Sequence, residues 1–314
     1  MNMPFPSKSN SLRNAHLRKW LFALAAILPL FYSSSASAGM NLAALPPEYG
    51  EVIYCCNEKS SHQLFIIGMS HRDSISRLNG LNTSRVQAEV YKLGEWLIQN
   101  GGLELLLPEG FFKKKSQRAQ KISGTAERKG AHPAPLDLKI LEEKLSDSTS
   151  FINAEMLLMK NYHLQTQQVE DPKWYDAVAG FIRKLVSSNN ASEYYRVKSE
   201  LDYLQERRTA AMLQEIPGII DAEYQQGSIK GKKAFFTIGM SHLHKIIKYL
   251  DENKIQIHSP LADSNQNGDY VADLNLLREN FGVFIILPRT LADDQRILEI
   301  NQLTGAVEKG RKRS

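Results

Sequence analysis

The sequence contains the stretch FIIGMSH at residues 65–71 and a near copy, FTIGMSH, at residues 236–242. The two copies are identical at six of seven aligned positions. Each is an apolar, β-prone run that leads into a glycine, a residue that lets the backbone turn sharply where a strand ends. The repeat predicts two strands that carry His71 and His242 at their carboxyl ends, facing a common cleft. Such a pair suits a metal site or an acid–base pair; the alternative is that both histidines only hydrogen-bond neighbouring loops.

The rest of the chain alternates between strand-like and helix-like segments. Further β-prone runs lie at residues 51–54, 103–107, 255–257 and 283–287, and in a run that ends at Val169. Helical patterns lie at about 83–101, 151–162, 172–187, 191–219 and 243–250. This alternation predicts an α/β fold, a mixed sheet with crossover helices and with the paired Gly-x-x-His motifs at strand ends. The runs at 51–54 and 63–67 are predicted to form an opening hairpin.

Acidic residues follow two of the predicted strands. Glu109 comes just after the strand at 103–107, and Glu170 and Asp171 come directly after Val169. In an α/β sheet the functional site lies at the carboxyl ends of the strands, so we expect these acids near the two histidines. For each acid taken alone, a helix cap or a solvated loop charge is the competing interpretation.

These positions together suggest a metal centre. A divalent ion held by His71, His242 and Glu109 would keep an open position for water, as hydrolytic sites do. Glu170 would then be available as a general base. Glu104, inside the predicted strand, is the less favoured alternative to Glu109.

One arginine lies on the apolar stripe of the helix predicted at 191–219. Leu201, Leu204, Arg208 and Met212 follow helical spacing, whereas Arg207 projects to the side. A guanidinium on a buried face needs an anionic partner, because burying an unpaired charge is costly. Arg208 is therefore predicted either to hold an anionic part of a substrate or to form an internal salt bridge with the acids after Val169.

The amino terminus has the pattern of an export signal. Four cations and no acid precede Gly39, an apolar run covers residues 20–32, and Ala36-Ser37-Ala38 suits a signal peptidase. We expect cleavage between Ala38 and Gly39, which leaves one periplasmic or secreted domain, 39–314, without a stable membrane anchor; an uncleaved anchor is the alternative. Removing those four charges from the formal net charge of +5 leaves +1, which gives no support for nucleic-acid binding.

Two further features have competing interpretations. Residues 113–129 carry six net positive charges and, with the turn-rich segment to Pro135, are predicted to form an exposed loop or lid. Cys55 and Cys56 are the two cysteines of the chain. They are predicted to be one core and one surface thiol, since in a strand neighbouring side chains point to opposite faces, with a redox pair as the alternative.

The order of these motifs resembles the TraB/GumN/TIKI superfamily, which includes ChaN-like proteins. The matching elements, in chain order, are Gly68 to His71, Glu109, Val169-Glu170, Arg208 to Met212 and Gly239 to Leu243. The similarity covers residues 65–257, and its motifs are short, so that their order is the specific part. Thr209 stands where the closest members of the family tend to have Asn or Asp, and the loop at 113–129 has no counterpart that we can place.

The resemblance implies an α/β fold in which the paired motifs and the acids build the site. Some members are metal-dependent proteases, and ChaN-like relatives bind haem. The function predicted from the sequence is thus an exported metal-dependent hydrolase of a peptide or related amide, using manganese, cobalt or zinc. The alternatives are a periplasmic module that binds haem or another ligand, and a catalytically inactive protein that senses or inhibits peptides.

Overall fold

The structure, a computed structural model, describes residues 40, 42–70, 82–112, 135–147, 152–260 and 269–313. The predicted signal segment, His71 and all but the last residue of the predicted basic loop lie outside these ranges. Residues Gly39–Ser314 form one compact unit. Within the described residues, no helix has the length and apolar character needed to span a bilayer.

The described residues contain eight strands. They are β1 (Gly50–Cys56), β2 (Gln63–Met69), β3 (Leu105–Pro108), β4 (Gln165–Thr166), β5 (Lys233–Gly239), β6 (Lys254–Ile257), β7 (Tyr270–Asp273) and β8 (Gly282–Pro288). The order in the main sheet is β1-β8-β2-β5-β3-β4, and β6 and β7 form a separate antiparallel pair. The neighbours from β8 to β4 are parallel, and β1 is antiparallel to β8.

Helices connect these strands. A short 3₁₀ turn at Leu42–Ala44 is followed by α1 (Thr83–Gly101), α2 (Leu138–Ser146), α3 (Ala154–Tyr162), α4 (Pro172–Ser187), α5 (Ala191–Gln225), α6 (Met240–Glu252), α7 (Asn275–Asn280), α8 (Arg289–Ala292), α9 (Gln295–Ile300) and α10 (Thr304–Arg311). With the mixed main sheet, this arrangement confirms the predicted α/β class. The core is formed by the sheet and the helix faces packed on it, with every residue of β2, β3 and β8 buried.

The predicted hairpin of β1 and β2 is wrong, because β8 lies between them. The intervening loop needs to cross only two strand spacings, about 10 Å, which its six residues span easily. It is held to the start of β8 by hydrogen bonds from Asn57 Nδ2 to the Phe281 carbonyl and from Ser60 Oγ to the Asn280 carbonyl. Every residue of β8 is buried, which suits a strand inside the sheet, whereas β1 is only partly buried and lies at the edge.

The two copies of the repeated stretch lie on adjacent parallel strands at the centre of the sheet. In the ladder Gly68 pairs with Ile238 and Met69 with Gly239, so the two strands end together. Both strands were predicted at these positions, and their carboxyl ends do meet at one edge. The helix after the second copy begins at Met240, three residues earlier than predicted, so that His242 lies in the first turn of α6.

Gly68 allows α6 to approach β2 closely. A Cβ atom built at this position would lie 2.4 Å from Leu243 Cδ1 and 2.9 Å from Leu287 Cδ2, both in the core. The glycine of the first copy thus accommodates side chains from α6 and β8. The packing of α6, which carries His242, depends on that missing side chain.

Other element boundaries also differ from the sequence-based expectation. The strand predicted to end at Val169 is the two-residue β4, which ends at Thr166, and Val169 is a buried residue of the segment that follows. Helix α5 continues to Gln225, six residues past its predicted end. Short ladders and helix ends depend on tertiary contacts, which hydrophobic periodicity does not report.

Both cysteines are half-buried free thiols on β1, so neither is the core thiol that was predicted. Burial raises the pKa of Cys55 to about 11, with a further contribution from the hydrogen bond of its thiol to Glu58 Oε1 at 2.9 Å. Burial also raises the pKa of Cys56. Both shifts disfavour the thiolate, the form that reacts in thiol exchange.

We predict that Gly68→Ala destabilises the protein by about 1–3 kcal/mol, because the added methyl group overpacks Leu243 and Leu287. Urea unfolding followed by circular dichroism measures the change. The matched control is Gly180→Ala in α4, where the new Cβ would meet no atom within 4 Å. There, the higher helix propensity of alanine should leave stability unchanged or slightly increased. Equal losses in both variants would contradict the packing argument.

We also predict that Cys55, studied in a Cys56→Ser background, is alkylated slowly by iodoacetamide at neutral pH. With a pKa of about 11, only about a thousandth of the thiol is ionised at pH 8. The rate should keep rising with pH up to about 11. Glu58→Gln should accelerate alkylation at pH 8 because it removes a carboxylate that disfavours the thiolate, whereas Glu299→Gln should not. A rate that levels off near pH 8 would contradict this environment.

Candidate functional site

Four of the predicted site residues meet at the carboxyl ends of the parallel strands. Glu109 follows β3, and its backbone N–H extends the ladder by donating to the Thr237 carbonyl of β5 at 3.0 Å. Glu170 lies four residues beyond β4, Arg208 on α5, and His242 on α6. The topology thus brings together groups that are up to 133 positions apart in the sequence.

Arg208 forms buried ion pairs with both glutamates. Its Nη2 donates to Glu109 Oε1 at 2.6 Å and to Glu170 Oε2 at 3.0 Å, while its Nε donates to Glu170 Oε1. The arginine is 7 % exposed and Glu170 is 2 % exposed. Burial alone would lower the pKa of Arg208, but the hydrogen bonds and charges of Glu170 and Glu109 raise it. The structure therefore shows the internal salt bridge, one of the two roles that the sequence allowed for Arg208.

Both carboxylate oxygens of Glu170 accept hydrogen bonds within the cluster. Its Oε2 also accepts the backbone N–H of Gly110 at 3.0 Å, and its side chain is fully buried. A general base needs an oxygen within reach of a substrate proton. The geometry favours a role for Glu170 in holding Arg208 over the predicted role as base.

Glu109 connects the arginine to the start of α6. Its Oε2 accepts the N–H of Gly239 at 2.6 Å, and Gly239 is the residue that caps α6. The first amide groups of a helix lack internal partners and carry partial positive charge, which a carboxylate satisfies. Glu109 is thereby held from two sides, by Arg208 through Oε1 and by the helix amide through Oε2.

His242 lies beside this carboxylate. Its Nε2 is 3.5 Å from Glu109 Oε1, and its Nδ1 is 2.6 Å from Thr209 Oγ1. The imidazole is 7 % exposed, and Thr209 is 1 % exposed. The two ring nitrogens thus face the residue that follows β3 and a residue of α5.

The separation of Nε2 and Oε1 fits two ligands of one metal ion. Zn–N and Zn–O bonds of 2.0–2.1 Å at a tetrahedral angle place the two donor atoms about 3.4 Å apart. Metal-ligating carboxylates are commonly hydrogen-bonded, so the bond from Arg208 Nη2 to Glu109 Oε1 is compatible with a role of this oxygen as a ligand. His242 and Glu109 therefore suit a divalent ion, while His71, the third predicted ligand, lies outside the described residues. The described residues alone hold no group of three or more potential ligands.

Two other acids considered from the sequence, Glu104 and Asp171, and a second histidine of α6 make other contacts. Glu104 precedes β3 at the opposite end of the strand, about 16 Å along the chain from Glu109, where it accepts the N–H of Lys230. Asp171 is the amino-terminal cap of α4 and accepts the N–H of Lys173 at 2.9 Å. His244, two residues after His242 in the sequence, lines a small cavity with Tyr54 on another side of α6.

Sequence reasoning missed several side chains around the cluster. The Tyr175 ring centroid lies 5.7 Å from the Arg208 guanidinium carbon, and Phe112 packs edge-on against that ring at 5.1 Å. Thr237 Oγ1, from the one position at which the two copies differ, donates to the buried Glu155 of α3 at 2.9 Å. The difference between Ile66 and Thr237, in otherwise identical stretches, could have indicated that Thr237 has a polar partner. No sequence pattern indicated the contact between the two aromatic side chains.

A cavity of about 550 Å³ lies elsewhere, against the edge strand β1 and the end of α10. It is lined by apolar residues together with Glu51, Arg289, Arg311 and Arg313. Arg311 there pairs with Glu51 at 3.0 Å and with Asp293 at 3.2 Å, so the charges largely compensate one another. Buried titratable groups converge at the strand-end cluster and not at this cavity, and for that reason the cluster is the candidate site.

Comparisons with known proteins add no relative to this description. No family model matches the chain, and neither a curated protein nor a solved structure matches it. The class of the site therefore rests on its geometry and on the motif order described above.

We predict that Arg208→Met destabilises the protein by about 3–5 kcal/mol, since it leaves Glu109 and Glu170 buried without their cation. Urea unfolding measures the loss. Adding Glu170→Gln to this variant should recover part of the lost stability. The double variant should then lose less free energy of unfolding than the two single variants lose in sum. Additive losses would contradict the coupling between the two side chains. Arg196→Met, at an exposed ion pair on the same helix, is the matched control and should cost less than about 1 kcal/mol.

Proposed function

We propose that this protein is an exported metal-dependent hydrolase that acts on a peptide or related amide. The observation that carries the proposal is the pair His242 Nε2 and Glu109 Oε1, 3.5 Å apart in a buried cluster at the carboxyl ends of parallel strands. The motif order that resembles the TraB/GumN/TIKI superfamily supports the same class. In this proposal His71, which follows β2 by two residues in the sequence, supplies the third ligand.

The roles of the described residues follow from their contacts. His242 and Glu109 would hold a divalent ion such as zinc, manganese or cobalt, which when bound polarises a carbonyl group and lowers the pKa of water. Arg208 fixes the orientation of the Glu109 carboxylate, and Glu170 anchors Arg208. The Gly239 amide holds the other carboxylate oxygen. These contacts preorganise the ligands before any ion binds, so binding costs little rearrangement.

The aromatic pair next to Arg208 supplies a surface for substrate. Tyr175 is 40 % exposed, although its ring lies against the guanidinium of the buried Arg208. Together with Phe112, three residues after Glu109, it presents apolar area beside the proposed ligands. Aromatic and apolar walls with a few polar groups are typical of small-molecule and peptide pockets.

We predict that the purified protein binds one equivalent of zinc, manganese or cobalt, and that His242→Ala and Glu109→Gln each weaken binding by at least about 100-fold, because each removes a proposed ligand. Competition with a chromogenic chelator measures the affinity. His258→Ala is the matched control, since that histidine is exposed and paired with Asp269 away from the cluster. It should leave affinity unchanged.

Turnover is tested separately, with a library of peptides and esters and each metal added to the apoprotein. Hydrolysis that requires both metal and His242 would support the proposal. Metal binding without turnover of any substrate would favour the inactive, peptide-sensing alternative. Failure to bind any of the three metals, together with a Soret shift on haem addition that His242→Ala abolishes, would overturn the hydrolase proposal in favour of a haem-binding module.

A further inference from the structure

Thr209 and His242 share a buried hydrogen bond whose direction depends on which ring nitrogen carries the proton. Thr209 is 1 % exposed on α5, directly after Arg208, and its Oγ1 lies 2.6 Å from His242 Nδ1. The same Oγ1 lies 2.8 Å from the carbonyl oxygen of Gln205, one helical turn earlier. A hydroxyl group has one proton to donate and two lone pairs with which to accept.

The carbonyl of Gln205 can only accept a hydrogen bond, so the proton of the Thr209 hydroxyl is used there. The bond between Oγ1 and Nδ1 then needs its proton from the imidazole. In the neutral ring, a proton on Nδ1 leaves Nε2 with a lone pair. That nitrogen is the one 3.5 Å from Glu109 Oε1, an atom that also carries only lone pairs.

We propose that Thr209 is a positioning residue that holds His242 in the tautomer protonated at Nδ1 and thereby presents Nε2 as a metal ligand. The assignment of the tautomer stands on the hydrogen bonds alone, whereas the role of Nε2 as a metal ligand rests on the proposed function. Metal-binding histidines generally donate their other ring N–H to a neighbouring acceptor, which fixes the ring and raises its basicity as a ligand. Here the acceptor is a hydroxyl group whose own proton is committed to the helix backbone.

One turn of α5 then supports both proposed ligands. Arg208 orients the Glu109 carboxylate, and the next residue, Thr209, orients the His242 ring. Because the two side chains leave the same turn of one helix, a displacement of α5 would move both ligands together. A threonine serves here because its hydroxyl reaches the ring without adding a charge to the buried cluster.

The tautomer is tested without any metal. Protein labelled with ¹⁵N-histidine is studied as the apoprotein at about pH 8.5, where ordinary histidines are neutral. Long-range ¹H–¹⁵N spectra separate the protonated from the unprotonated ring nitrogen, and His242→Ala assigns the signals. We expect wild type and Thr209→Ser to have the proton on Nδ1, and the isosteric Thr209→Val to shift the ring to the Nε2-protonated form. A wild-type ring protonated at Nε2 or at both nitrogens, or an unchanged tautomer in Thr209→Val, would overturn the inference.

The role of Thr209 in metal binding is tested with zinc alone. Thr209→Val should weaken zinc binding about 10–100-fold, as loss of such supporting contacts commonly does, while Thr209→Ser should remain within about threefold of wild type. Urea unfolding of both variants shows whether they remain folded at the assay temperature; if Thr209→Val does not, Thr209→Ala replaces it. Unchanged zinc affinity in a variant whose tautomer has shifted would overturn the role in metal binding. If wild type binds no zinc but its ring is protonated at Nδ1 through Thr209, the proposed function fails and the tautomer assignment stands.

Discussion

The buried guanidinium of Arg208 is the interaction on which the strand-end cluster depends. Two carboxylates that are nearly excluded from solvent would be costly to bury without a cation, and an arginine can satisfy both with directed hydrogen bonds. Through it, the segments after β3 and after β4 are joined to α5. The arginine needs the carboxylates as much as they need the arginine, because it too is nearly excluded from solvent. Removing the arginine would leave two carboxylates buried without a cation, whereas removing either carboxylate would leave one buried ion pair.

Backbone amide groups also stabilise the two buried carboxylates. Gly239 donates its N–H to Glu109 where β5 ends and α6 begins, and Gly110 donates to Glu170 just beyond β3. Strand ends and helix starts leave amide groups without internal partners, and here these amides face the two carboxylates. The fold therefore supplies part of the counter-charge. This explains how a cluster with two acids and one arginine is accommodated inside a nearly dry region.

Much of this arrangement could be predicted from the sequence, because the strongest patterns are local. The two glycine-ended runs identified β2 and β5, and the helical spacing through Arg208 placed that residue on a buried face. The insertion of β8 between β1 and β2 could not be predicted, since nothing local distinguishes a hairpin from two strands with a third between them. The partners of Arg208 could not be predicted either. A sequence shows that a buried cation needs an anion, but it does not show which of several acids reaches that cation.

The two copies of the repeat also show why matching residues need not have matching roles. Gly68 makes room for Leu243 and Leu287, whereas Gly239 is the cap of α6 and donates to Glu109. Ile66 is buried in the core, but its counterpart Thr237 donates a hydrogen bond to Glu155 Oε1. The environment of His242 is built by α5 and by the residue after β3, neither of which belongs to the repeat. Its chemistry is therefore set by what the tertiary fold brings against the motif, and the near identity of the two stretches reflects the shared need to end a central parallel strand sharply at one edge of the sheet.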